Sequence, residues 1–259
     1  MAGRKHLYLK ILGLVAALTF VGASFAAAGF LYISRHLPDI TAFDSRKVAQ
    51  SSKIYDRAGG VLLYEIHGEE KRSLIPFEEI PDLIKKATIA IEDSGFYEHP
   101  AFDWRSIVRA AVVNLKNASI VQGGSTITQQ LAKKAFLTDE RTPIRKLKEL
   151  ILAFNLEKKY TKNQILGLYL NQIPYGSNAY GIAAASETYF NKKVGDLTLG
   201  EIAILVSLSH GPSLYSPWGP NRDRLFARQR LVLERMRDLG HISAREHDDA
   251  ANENISFAP

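Results

Sequence analysis

The chain has 259 residues, 46% of them hydrophobic and 23% charged, which describes a globular protein with one large domain, or one domain and a smaller lobe, and excludes a disordered chain. It contains no cysteine, which excludes disulfides, thiolate catalysis and cysteine-ligated zinc or iron–sulfur centres, and its seven histidines show no metal-ligand spacing. The net charge of +6 concentrates in Lys133–Lys159, with eight basic residues against four acidic, and in Arg222–Asp238, with six against three. Such a balance suits an anionic lipid, nucleic acid or a phosphorylated substrate, and a solvated helix face would give the same counts.

Residues 1–10 carry Arg4, Lys5 and Lys10, and Ile11 to Ile33 follow as twenty-three residues without a charge, closed by Arg35. That length spans the hydrocarbon core of a bilayer, and the preceding basic residues predict a cytoplasmic N-terminus with everything after Arg35 exported. A cleavable signal is the rival reading, since Ala26-Ala27-Ala28 resembles a cleavage site. The apolar run continues through Phe30, Leu31, Tyr32 and Ile33, which favours a retained anchor over 11–33. A polar linker occupies 34–50. Two β-rich runs flank Ala58-Gly59-Gly60 in "SSKIYDRAGGVLLYEI" and predict a hairpin near the membrane.

From Pro81 onward the spacing predicts helices. Leu83, Ile84, Ala87 and Ile91 form an apolar face that ends at Glu92-Asp93. A carboxylate at the edge of an apolar surface is expected to have a raised pKa and to serve as acid or base; an idle, solvated acidic pair gives the same letters. Asp103 is positioned to cap a helix to about Lys116, and Thr126 with Gln129 reads as a capping box. Thr142-Pro143 opens a helix to about Lys159, with Ile144, Leu147, Ile151 and Phe154 as its expected buried seam. Further boxes pair Thr161 with Gln164, Thr198 with Glu201 and Ser243 with Glu246, while Asn221 and Gly240 bracket another long helix. The architecture is therefore mainly α, in one domain over about 51–251 with a tail at 252–259.

"VQGGSTITQQLAKK" places a donor-rich turn directly before a helix that carries lysines, a pattern that attracts an anion. Arg145 and Glu149 stand four apart, as an intrahelical ion pair or as a device that fixes basic side chains, or a metal, facing an anionic group. Lys133, Arg141, Arg145 and Lys148 fall close to two helix starts and are expected to form one electropositive wall able to hold a pyrophosphate.

In order, the chain carries Glu92-Asp93-x-x-Phe96-x-x-His99, then Gly123-Gly124-Ser125-Thr126-Ile127-Thr128-Gln129-Gln130, then Arg145-Lys146-x-x-Glu149, then Tyr169-Leu170-Asn171. From about Ser51 to Pro217 the sequence resembles the peptidoglycan glycosyltransferases, glycosyltransferase family 51, found at the front of class A penicillin-binding proteins and as monofunctional enzymes. The resemblance implies a lysozyme-like helical fold with a membrane-facing jaw at about 100–122. It implies polymerisation of lipid II into glycan strands at the bacterial inner membrane by a single-pass protein, with cell-wall synthesis proteins as further partners. Glu92 would be the base that takes the proton of the acceptor 4-hydroxyl. Glu149 would position phosphate-binding side chains or a divalent metal, Mg or Mn. Arg109, Lys133, Arg141, Arg145 and Lys148 would lie near the donor phosphates, and Ser125 and Gln130 would contact substrate. No organic cofactor is implied.

The sequence departs from the family at Ala101, where glycine is usual, at Lys134 for asparagine, at Gly167 and Ala183 for glutamates, and at Ser209 for proline. Gly167 is expected to loosen packing around the site. A membrane-anchored lytic transglycosylase or lysozyme-like hydrolase is the nearest rival, and it gains nothing from a pyrophosphate wall; an inactive lipid II-binding scaffold is the other. Nucleic acid is not expected, because an anchor would export the basic residues. Ser-x-x-Lys and Lys-Thr-Gly are absent, so these residues hold no transpeptidase half. The hairpin and the ending "NENISFAP" resemble the bifunctional proteins, and the chain reads as the front of one or as a monofunctional enzyme.

Overall fold

The segment "GEIAILVSL" is apolar on all sides of a helix, and such a helix belongs inside. In the computed structural model, which describes residues 2–40, 52–55, 57, 62–66, 71–104, 124–138, 140 and 142–258, it is the axis of the domain. The helices are α1 (Ala2–Arg35), α2 (Asp82–Glu92), α3 (Ile127–Phe136), α4 (Pro143–Lys159), α5 (Lys162–Gln172), α6 (Ile182–Phe190), α7 (Leu199–His210), α8 (Arg222–Asp238) and α9 (Ala244–Ala251). Ile202 to Leu208 of α7 are all buried. Helices α2 and α8 pack against α7 and against each other, while α3 packs against α4 and α5. A mainly helical domain is therefore what the chain forms.

The local start signals act as expected where their chemistry is complete. Thr161, Thr198 and Ser243 each accept from the amide three residues on, and the glutamine or glutamate there bonds back to the cap. Thr142 accepts from the amide of Arg145, and Pro143 follows at the first helical position. Thr126 caps α3, but Gln129 does not complete a box; its side-chain amide donates to the carbonyl of Ala101 at 3.2 Å. The Thr126 hydroxyl donates to the same carbonyl at 2.8 Å. The turn at Ala101 is thus tied to the start of α3.

Two expected seams are corrected. In α4, Ile144 is 58% and Phe154 37% exposed, and the buried residues are Glu149, Ile151, Leu152, Ala153 and Leu156. The face that meets α3 starts at Glu149, so a carboxylate displaces an isoleucine from the buried side. In α2, Leu83 is exposed, and Ile84, Ala87, Thr88 and Ala90 are buried, with the Thr88 hydroxyl satisfied by the carbonyl of Ile84 at 2.8 Å.

β1 (Ser52–Tyr55) and β2 (Leu62–Ile66) pair antiparallel, with Ser52 opposite Ile66, as a hairpin requires; its tip at Ala58–Gly60 lies outside the described residues. A second sheet was not expected: β3 (Lys71–Arg72) runs parallel to β5 (Ala179–Tyr180), which pairs antiparallel with β4 (Pro174–Gly176). Ser177 and Asn178 between β4 and β5 both have positive φ, 49° and 58°, the backbone of a tight hairpin turn. Strands of two and three residues leave no periodicity to read. Asn171, near the end of α5, ties the segment after β3 to that helix by accepting from the amide of Ile75 and donating to the carbonyls of Ile75 and Gly167.

Gly167 does not leave a void. A Cβ there would meet the Phe77 ring at 3.3 Å, so that ring already occupies the space beside α5. Residues 253–258 run back over α6, where Phe257 stacks on Phe190 at 5.5 Å and the amide of Ala258 donates to the carbonyl of Tyr189. Among the described residues no helix is long and apolar enough to cross a membrane, and many side chains of α1 fall outside them.

Candidate active site

Glu92 is the last residue of α2 and stands where α3, α5, α7 and α8 meet, its side chain 6% exposed. Its two carboxylate oxygens have different surroundings. Oε2 accepts from Gln130 Nε2 at 2.8 Å, and Gln130 Oε1 accepts from the Tyr169 hydroxyl at 3.1 Å. Burial, helped by the Glu92 charge, pushes the Tyr169 phenol well above its usual range, so it remains a donor and fixes the orientation of the amide. Oε1 faces Arg228 Nη2 at 3.4 Å and His210 Nδ1 at 3.6 Å, longer than close charge-assisted bonds.

The expected rise in the Glu92 pKa is corrected. Burial alone pushes it up, but the closeness of His210, the hydrogen bond from Gln130 and the charge of Arg228 together hold it below the usual carboxylate value. The apolar helix delivers the carboxylate; α7 and α8, distant in sequence, decide its charge.

The start of α3 is occupied from within. Asp93 Oδ2 accepts from the amide of Ile127 at 3.0 Å, and Thr126 Oγ1 accepts from the amide of Gln129 at 3.2 Å. Asp93 Oδ1 lies 2.6 Å from His99 Nε2, and His99 Nδ1 lies 2.6 Å from the carbonyl of Pro100. The anion that answers this helix terminus is the protein's own Asp93. Lys162 completes the strut behind it, donating to the carbonyl of His99 and to Glu157, which also accepts from Thr128.

On the facing wall, Glu149 is 3% exposed in its side chain and accepts from Arg145 Nη1 at 2.7 Å and, on its other oxygen, from Lys146 Nζ. Lys146 also donates to Ser125 Oγ at 2.7 Å and to Gln129 Oε1 at 3.1 Å. A cleft of about 750 Å³ takes Glu92, Ser125, Gln130, Lys133, Arg145 and Glu149 into one lining, together with Lys134, Lys146, Arg228 and Arg235. Lys148 is not among the lining residues and Lys146 is there instead: residues three and four before Glu149 share its face, whereas the residue next to it does not. Arg109, Arg141 and most of 100–122 lie outside the described residues.

A divalent metal at Glu149 does not fit this arrangement. Both oxygens are engaged by cationic side chains, and those of Asp93 by His99 and the Ile127 amide. Among the described residues no three potential ligands cluster. The carboxylates here organise cations.

Lys146 stood in the Arg145-Lys146-x-x-Glu149 motif without a role assigned to it, and His210, Arg228 and Arg235 were not singled out from sequence. For the arginines a signal existed: Arg228, Leu231, Arg235 and Asp238 recur at helical spacing within the basic stretch and all line the cleft. For His210 there was none, because its neighbour is far away in the chain.

A family model described as Transglycosylase matches residues 59–237. Penicillin-binding protein 1A of Aquifex aeolicus is 43% identical over 252 residues, covering 97% of this chain and 34% of that protein. Penicillin-binding protein 1A of Escherichia coli is 41% identical over 249 residues, covering 96% and 29%. A crystal structure of penicillin-binding protein 1A from Haemophilus influenzae overlaps 82% of this chain and 22% of that one at 26% identity, with a TM-score of 0.48, too loose to argue from. The chain thus spans about a third of the length of the relatives it matches. With a family model matching most of its residues, the chain belongs to the transglycosylase family.

Proposed function

We propose that this domain polymerises lipid II, a disaccharide-pentapeptide on undecaprenyl pyrophosphate, into glycan strands by inverting β-1,4 transfer. The observation that carries the reading is the shared lining of one cleft by the buried carboxylate Glu92, whose nearest cationic groups stand back at 3.4 and 3.6 Å, and a set of cations from α3, α4 and α8. The acceptor hydroxyl gives its proton to Glu92 as its oxygen bonds to the donor's anomeric carbon. The bond from that carbon to the pyrophosphate breaks with the electron pair leaving on the phosphate. Charge develops on the departing diphosphate, where Lys133, Arg145 and Lys146 stabilise the transition state more than the bound ground state. Glu149 pairs with the last two, and Ser125 is a second partner of Lys146. A helix over 11–33 would keep the domain at the lipid surface with the cleft on the exported side.

The direction of the Glu92 shift favours this reading over a hydrolase. A lysozyme-like enzyme needs a carboxylic acid held protonated near neutral pH to expel an alkoxide, with a second carboxylate beside it. Glu92 is pushed the other way, towards the carboxylate, which can take a proton and has none to give. Diphosphate leaves as a stabilised anion and needs no acid. Incubation of the full chain with labelled lipid II tests this: polymer from wild type and none from Glu92→Gln supports the synthase. Digestion of finished strands would establish the hydrolase, and binding without product the scaffold.

A further inference from the structure

Resting on the base assignment of Glu92, the question is how that buried group loses its proton after each transfer. The groups around it answer by elimination. Oε2 is closed off by the Gln130 amide, which cannot accept a proton, with Tyr169 behind it. Tyr169 and Tyr175 are both buried, with phenols held protonated by burial and by the Glu92 charge. Arg228, on α8, is a permanent cation and accepts nothing. Asp93, the next residue, is bound to His99 and the Ile127 amide. On Oε1 there remains His210, the last residue of α7, with Nδ1 at 3.6 Å and a side chain 53% exposed against 6% for Glu92. A small rotation of that half-exposed ring brings Nδ1 to hydrogen-bond distance.

We infer that His210 is a proton relay acting through Glu92: it takes the acceptor's proton from Oε1 and releases it to solvent, restoring the base for the next sugar. The balance is simple. Glycosyl transfer leaves Glu92 as a neutral acid. Its proton moves to Nδ1 of a neutral imidazole, and the imidazolium gives a proton to water at the cleft mouth, so no oxidant or co-reactant is required. Histidine is the side chain that exchanges protons near neutral pH.

The test is steady-state polymerisation of labelled lipid II by the full chain across pH, comparing wild type with His210→Gln, His210→Lys, His210→Ala and Glu92→Gln. The end of α7 does not depend on the imidazole, since the Gly211 amide closes it on the Leu208 carbonyl at 3.2 Å, and thermal unfolding checks that the variants fold. The relay predicts a kcat about tenfold to a hundredfold lower in His210→Gln with KM within about twofold. It also predicts recovery of His210→Ala by added imidazole. Full activity in His210→Lys would show that positive charge suffices, and an unchanged His210→Gln that nothing is relayed. A raised KM without imidazole rescue would show a structural role; each of these overturns the relay alone. Polymer formation by Glu92→Gln at the wild-type rate, or none by wild type, overturns the base assignment and the relay together.

Discussion

Asp93→Asn isolates the charge in the strut behind Glu92. An asparagine oxygen can still accept from the Ile127 amide, a bond of 3.0 Å in the wild type, so the start of α3 keeps its partner. What changes is His99. Both of its ring nitrogens approach acceptors at 2.6 Å, Asp93 Oδ1 and the carbonyl of Pro100, so the ring must donate twice and is an imidazolium. Burial pushes its pKa down, but the bonds to Asp93 and Pro100 and the Asp93 charge raise it above the ordinary 6.5. Facing an asparagine amide, Nε2 has to accept instead, and the ring becomes neutral. The loss is the difference between a charge-assisted and a neutral bond, about 1.5 kcal/mol, with little screening because the two side chains are 12% and 6% exposed. For a domain of this size that is about 3–6 °C in Tm.

The sign with pH follows from the direction of the shift. A folded pKa raised above the unfolded one gives stability that is complete below pH 6.5 and is lost as pH rises through the folded value. The gap between wild type and Asp93→Asn is therefore widest on the acid side of 6.5, above the carboxylate range, and narrows above it. Thermal unfolding at constant ionic strength over a series of pH values measures it. A gap independent of pH, or one that widens as pH rises, would refute the imidazolium assignment.

Gln130→Leu removes the amide from Glu92 Oε2 and leaves the buried Tyr169 hydroxyl without its acceptor. Denaturant unfolding should show a loss of about 1–3 kcal/mol, with polymerisation at least tenfold slower. Lys146→Met leaves Glu149 held by Arg145 at 2.7 Å and removes a cation that is 49% exposed, so kcat on lipid II should fall several-fold with KM little changed while Tm stays within about 2 °C. Gly176→Ala puts a Cβ 2.8 Å from the Tyr189 hydroxyl and 2.9 Å from Pro212 at a φ of +92°, which should cost about 2 kcal/mol or more in urea unfolding. Gly195→Ala, where a Cβ meets nothing within 4 Å, should be close to neutral in the same assay.

Legibility in the sequence followed the range of the physics. Caps at Thr161, Thr198 and Ser243 were readable because donor and acceptor sit three residues apart and nothing distant competes. Gln129 had the same spacing from Thr126 but was drawn to the carbonyl of Ala101, twenty-eight positions away. The buried side of α4 was misread for a related reason: counting apolar residues favours Ile144, whereas the fold buries Glu149 because Arg145 and Lys146 neutralise it. Glu92 could be found by its place at the end of an apolar helix, but the direction of its pKa could not, since His210 and Arg228 arrive from 118 and 136 positions on. The hairpin at β4 and β5 left only Gly176-Ser177-Asn178 as a trace, three residues that permit positive φ without demanding it.

The donor-rich turn before α3 leads to a different conclusion from the one its letters invite. A helix terminus with free amides can hold phosphate by its backbone alone. Here the Ile127 amide goes to Asp93 and the Gln129 amide to Thr126, so those two donors are spent on the fold. On the proposed function, a diphosphate in the cleft would draw chiefly on side-chain cations, and those are of two kinds. Arg145 is 17% exposed and pinned to Glu149, a fixed charge, whereas Lys146 is 49% exposed and shared among Glu149, Ser125 and Gln129, a charge that can be lent. A site that must grip a leaving diphosphate and then let it go gains from that division. Fixed amides or a wholly rigid cation set would hold the departed diphosphate as firmly as the transition state and slow its release. Ser125 is then best understood as the resting partner of Lys146, holding the lysine at the cleft wall until an anion draws it away.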